Sequence, residues 1–101
     1  MEQYKENYNS GVLNKVNEPE MFDVIFLNDD FTPMDFVIDI LRKVFFFEST
    51  IATTIMLSVH KKGFWVVGTY SLDIAQSKQQ KAINMAQDAG FPLRIKLQPH
   101  K

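Results

Sequence analysis

Cysteine is absent from this 101-residue chain, so disulfides and thiolate metal sites are excluded. Long apolar runs are missing as well. Nothing approaches the roughly 20 residues that a membrane-spanning helix needs, and Met1 to Ser10 is too polar for a secretory signal. Neither sign of charge prevails, with 11 Lys and Arg against 12 Asp and Glu. The cations are scattered rather than gathered on one stripe, which argues against nucleic acid, because phosphate neutralisation needs a basic face. No internal repeat or low-complexity segment is present. What remains is 46% apolar and 23% charged, the balance of a globular domain, and the length supports a single core. A soluble, cytoplasmic, monomeric domain is expected.

Residues 1–20 are polar, rich in Asn and Glu, and end at a proline, so they read as a flexible N-terminal arm with at most a short helix at Gly11 to Val16. Residues 21–101 form the core domain. Phe22 to Leu27 reads as a strand interrupted by one polar residue, Asp23. From Pro33, the spacing of Met34, Val37, Ile40, Leu41 and Val44 predicts a helix, with Thr32 as its N-cap and Phe45-Phe46-Phe47 closing it against the core. Ser49 or Thr50 should cap a second helix, striped with Ala52, Ile55, Met56 and Val59 and stopped by Lys61, Lys62 and Gly63. Phe64 to Tyr70 is strand-like, with Gly68 marking a bulge or a close approach. Ser71 should cap a third helix that carries Ile74, Ala75, Ala82, Met85 and Ala86 and stops at Gly90. Leu93 to Leu97 alternates as a half-buried strand. The order strand, helix, helix, strand, helix, strand lacks regular strand–helix alternation. It implies an α+β layer: a small three-stranded antiparallel sheet with three helices packed on one side.

Chemistry concentrates in one connection, Asn28-Asp29-Asp30, a short polar turn between a strand and a helix. Carboxylates and an amide carbonyl there suit a cationic ligand better than an anionic one. Two readings stand side by side. Asp29 and Asp30 can bind a ligand, or they can satisfy neighbouring backbone N–H groups as Asx-turn residues. His60 can likewise serve a ligand or simply complement the C-terminal end of its helix. A metal held by Asp29, Asp30 and His60 is conceivable, but the spacing of a dedicated metal motif is absent. No serine is tied to a histidine in a pattern that would make a nucleophile. Met34, Met56 and Val59 are core by default, although methionine also makes an adaptable apolar lining.

Taken whole, Leu27-Asn28-Asp29-Asp30-Phe31-Thr32-Pro33-Met34-Asp35-Phe36-Val37 resembles the signature of the ClpS adaptor family. Ala52-Thr53, Ile55-Met56-Leu57, Val59-His60, Lys62-Gly63, Gly68, Tyr70, Ile74-Ala75, Lys78 and Pro92-Leu93 follow at fitting distances. The resemblance runs from about Met21 to Leu97 and implies the same α+β fold. It also implies a non-enzymatic adaptor, without metal or cofactor, that captures proteins bearing an N-terminal Leu, Phe, Tyr or Trp. The captured protein passes to the N-terminal domain of a ClpA- or ClpC-type AAA+ unfoldase working with ClpP.

Carried over residue by residue, Asn28, Asp29 and His60 would hold the substrate's α-amine, with Asp30 shaping the turn. Thr32, Met34, Val37, Met56, Val59 and Leu93 would line the side-chain pocket, Met34 as a gatekeeper against β-branched residues. Asp73 and Lys78 would face the unfoldase. Phe64 and Trp65 are bulkier than the residues usual at their places, which suggests either core packing or a wider interaction surface. The competing class is a docking module, since the fold also resembles the C-terminal domain of the ribosomal stalk protein. The Asn-Asp-Asp turn with Met56 and His60 speaks against it, because such docking needs no amine site.

Overall fold

A computed structural model describes residues 19–101. The arm expected over residues 1–20, with any helix at Gly11 to Val16, therefore lies outside the described residues except for Pro19 and Glu20. Six elements follow in the expected order: β1 (Met21–Leu27), α1 (Met34–Lys43), α2 (Ser49–Lys62), β2 (Phe64–Ser71), α3 (Leu72–Ala89) and β3 (Arg94–Pro99).

The three strands form one antiparallel sheet in the order β2-β1-β3. Central placement explains why Val24, Ile25 and Phe26 are buried in succession, where a half-exposed strand would alternate. Val24 and Phe26 enter the core with Val67 and Ile95, beneath the apolar faces of the helices. Asp23, opposite Thr69 in the register, is buried too: its Oδ1 accepts from the Thr69 hydroxyl at 2.7 Å and lies 2.8 Å from His100 Nδ1. Trp65 packs against the core, so core packing is its role, whereas Phe64 is exposed.

Both expectations for Gly68 are met. Val24 pairs with Gly68 but Ile25 pairs with Val66, so Val67 is the extra residue of a bulge. A Cβ on Gly68 would stand 2.7 Å from the Tyr70 hydroxyl oxygen.

The helix stops match expectation, and the starts less so. Gly63 and Gly90 end α2 and α3 in left-handed backbone, at φ 88° and 83°. Ser71 does occupy the N-cap of α3, but its hydroxyl makes no capping bond. Pro33, not Thr32, caps α1: its carbonyl accepts from Phe36 and Val37 N–H, while Thr32 turns its hydroxyl to Asp29. Glu48, not Ser49 or Thr50, caps α2. The carbonyls of those two residues instead accept the hydroxyls of Thr53 and Thr54, which places both inside the helix.

The phenylalanine run does not close α1 as one block. The helix ends at Lys43, and only Phe45 is buried, edge-on to Phe26 at 5.5 Å. Phe46 takes φ 63° and points its ring to solvent, a backbone state that costs a non-glycine residue about 1–2 kcal/mol. Ile74 is likewise exposed on α3, whose inner face is Ala75, Ala82 and Ala86. No helix among the described residues is long and apolar enough to cross a membrane.

Candidate functional site

The β1–α1 turn is held by a single carboxylate. Asp29 Oδ1 accepts the backbone N–H groups of Phe31 (2.8 Å) and Thr32 (2.7 Å), and Oδ2 accepts the Thr32 hydroxyl (2.8 Å). The local Asx-turn chemistry is therefore real. It does not exhaust the group, because an ionised carboxylate offers about four lone-pair positions and three are taken. Burial by itself would raise the Asp29 pKa. The Thr32 and Phe31 N–H groups, the Thr32 hydroxyl and the positive charge of Arg94 outweigh it and hold the carboxyl below its ordinary value. At neutral pH Asp29 is an anion with one acceptor position left.

A second bond joins this turn to α2. The Asn28 N–H donates to the Gly63 carbonyl at 2.9 Å, fixing the C-terminal end of α2 beside the turn. His60, three residues before Gly63, is thereby brought next to Asn28 and Asp29, 31 positions or more away in sequence. Among the described residues, neither the Asn28 amide nor the His60 ring enters a side-chain hydrogen bond.

Together these groups line a cavity of about 300 Å³. Its apolar wall comes from Val37 on α1 and from Met56 and Val59 on α2, all buried. Met34, 43% exposed, forms part of its lining at the start of α1. Asn28, Asp29, Asp30, Thr32 and His60 line it as well.

Three points depart from expectation. Leu93 is not among the lining residues; three positions beyond the Gly90 stop it drops into the core and is buried there. The turn is shaped by Asp29 rather than Asp30, which is exposed and makes no side-chain hydrogen bond among the described residues. Phe31 and Pro33 line the cavity unanticipated. Phe31 is 77% exposed. Its signal in the sequence was an aromatic residue stranded in a polar turn, outside any strand or helix that could bury it. No group of three or more His, Asp or Glu side chains suited to a metal ion occurs among the described residues.

The two residues expected at an unfoldase interface lie elsewhere, at the start of α3. Asp73 is exposed in the first turn. Lys78 is half-buried, and its ammonium donates to the Val44 carbonyl at 2.9 Å, capping the end of α1.

The chain as a whole has counterparts among known proteins. Residues 17–96 match the family model described as "ATP-dependent Clp protease adaptor protein ClpS". The ClpS adapter protein of Acetivibrio thermocellus is 50% identical over 82 residues, 81% of this chain and 83% of that one. The ClpS adapter protein of Lawsonia intracellularis is 45% identical over 84 residues, covering 83% of this chain and 77% of that one. Among solved structures, Agrobacterium tumefaciens ClpS2 bound to L-phenylalaninamide superposes with a TM-score of 0.80 at 35% identity, over 82% of this chain and all of that one.

Proposed function

The chain belongs to the ClpS family of ATP-dependent Clp protease adaptors, and from that premise we propose that its cavity captures the free N-terminal residue of a protein to be degraded. One observation carries the reading. Three acceptors that no bond among the described residues exhausts line a partly apolar cavity of about 300 Å³.

The chemistry complements an N-terminus. An α-ammonium has a pKa near 8, is mostly charged at neutral pH, and carries three donors. The Asn28 amide oxygen, the last lone pair of Asp29 and an unprotonated nitrogen of His60 supply three acceptors. The cavity is at the small end of the range for ligand sites, about 300–1,000 Å³, and suits Leu, Phe, Tyr or Trp. Each charge-assisted bond contributes about 1.5–3 kcal/mol, and burial of the side chain about 1.5–3 kcal/mol. Association costs at least about 4 kcal/mol. With each contribution at the strong end of its range the remainder is about 8 kcal/mol, which corresponds to roughly micromolar binding, suitable for an adaptor that must release its cargo. The A. tumefaciens relative supports the reading, since its ligand combines a free α-amine with a phenylalanine side chain.

The site binds and does not catalyse. Its hydroxyl, on Thr32, donates a hydrogen bond to Asp29 and, among the described residues, is not paired with an imidazole. The cargo passes to a ClpA- or ClpC-type AAA+ unfoldase and its ClpP protease, with residues 1–20 serving delivery rather than capture. Titration of a Leu-initiated peptide into Asn28→Ala and His60→Ala variants tests the site. Each substitution should weaken binding about ten- to a hundred-fold, the worth of one charge-assisted bond. Unchanged affinity in both would refute it.

A further inference from the structure

Val24, Phe26, Val67 and Ile95 face the helices, so the alternate residues of the three strands face the other way. On that side Ile25 pairs with Val66 and Lys96, and Leu27 with Phe64. These residues, with Gln98 and Gly63, line a concavity of about 510 Å³ to which no helix contributes. Ile25 is buried yet stands outside the helix-side core. Phe64 is 53% exposed, and Val66 beside it is exposed too. Contiguous apolar side chains left open on one sheet face mark a surface that something else covers.

The chain itself carries a candidate. Eighteen residues precede the described ones, and they join the sheet at Met21, the first residue of the central strand. Within residues 1–18 the only Val, Leu or Ile side chains are Val12, Leu13 and Val16. Their spacing is that of one face of a short helical turn, the one expected at Gly11 to Val16. Reach is sufficient. Ile25 and Leu27 lie four and six residues into β1, about 14–20 Å from Met21 at about 3.4 Å per residue. Counting back, Val16 and Leu13 are five and eight residues from Met21, a span of up to about 17 Å and 26 Å respectively.

We propose that the open face of the sheet is the docking site of the chain's own N-terminal segment, with Val12, Leu13 and Val16 seated on Ile25, Leu27, Phe64 and Val66. Tethering favours this occupant over a second copy, because a short linker holds its segment at an effective concentration of about millimolar. Contacts too weak to hold two separate molecules together therefore suffice. Phe64, bulkier than the resemblance leads one to expect and unused by the core, takes its role here as the exposed wall of the docking site. Neither the segment nor the concavity lines the cargo cavity, so this contact stands whether or not that cavity reads N-termini.

Because the chain has no cysteine, Asn14→Cys creates a single attachment point for a nitroxide beside the apolar cluster. In the full-length, nitrogen-15-labelled protein, the amide signals of Ile25, Val66 and Lys96 should lose most of their intensity. Those of Asp35 and Leu57, exposed on α1 and α2, should keep theirs. Adding Leu13→Asp and Val16→Asp, or Phe64→Ser alone, should restore the lost signals. Signal loss spread evenly over the surface, or absent altogether, overturns the proposal. So does loss on the same face when a nitroxide-bearing chain is mixed with a separate nitrogen-15-labelled one, since that assigns the face to a second copy.

Discussion

Asp29 closes the turn with three accepted hydrogen bonds and has one lone-pair position over, the one the proposed function assigns to a ligand. Its pKa is depressed in the folded state, so its stabilising contribution is complete above the unfolded value of about 3.9 and is lost as pH falls through the lower folded value. Urea midpoints taken from pH 7 down to pH 2.5 should therefore converge between the parent and Asp29→Ala only in the acid range. At neutral pH the variant should be less stable by about 1–3 kcal/mol; parallel curves throughout would contradict this. Met34, at the start of α1 and half-exposed, is expected to exclude branching at Cβ. Met34→Ala should admit Ile- and Val-initiated peptides, and continued failure of those ligands would remove the gatekeeper role. Residues whose partners are two or three positions away, as for Asp29, are legible in the sequence. Leu93 is not, because its core contacts are set by elements distant in the chain, whereas Phe31 carries a local signal, an aromatic residue in a polar turn.

At the level of elements, backbone demands explain both the successes and the errors. Gly63 and Gly90 were readable as helix stops because a left-handed residue after a helix is a local requirement. Of the three phenylalanines, Phe45 and Phe47 pack with the core as expected and Phe46 does not: hydrophobicity alone assigns all of them to the core, while the turn between α1 and α2 places Phe46 at positive φ. Thr32 lost its capping role to the competing pull of Asp29. Two substitutions test these local accounts by thermal or urea unfolding. Gly63→Ala forces a Cβ into φ 88° and should cost about 1–2 kcal/mol, loosening the carbonyl that holds Asn28. Gly68→Ala would drive its methyl to within 2.7–2.9 Å of the Tyr70 ring and hydroxyl and should cost about 1–3 kcal/mol. A neutral outcome at Gly68 would mean that Tyr70 moves aside freely, despite the Lys78 ammonium 5.4 Å from its ring centre.

For the molecule as a whole, hydrophobic periodicity was enough to predict the element order and the one-sided α+β layer, because each period of 2 or 3.6 residues reports which face is buried. Neither the bond between Asn28 and Gly63 nor the central place of β1 has any periodic trace, and these two features assemble the site. The resulting plan puts the cavity at the start of α1, on a helix whose inner face, Val37, Ile40 and Leu41, belongs to the core. The most direct measurement of the central claim is a fluorescence-anisotropy titration of the full chain with three peptides. One begins with a free Leu, one is its N-acetylated twin, and one begins with Val. Saturable binding near micromolar for the free Leu peptide alone is the expected result. Acetylation removes the charge and most of the donors that Asn28, Asp29 and His60 would accept in the proposed complex. Equal binding of all three peptides, or of none, would contradict a site that reads both the amine and the side chain of an N-terminal residue.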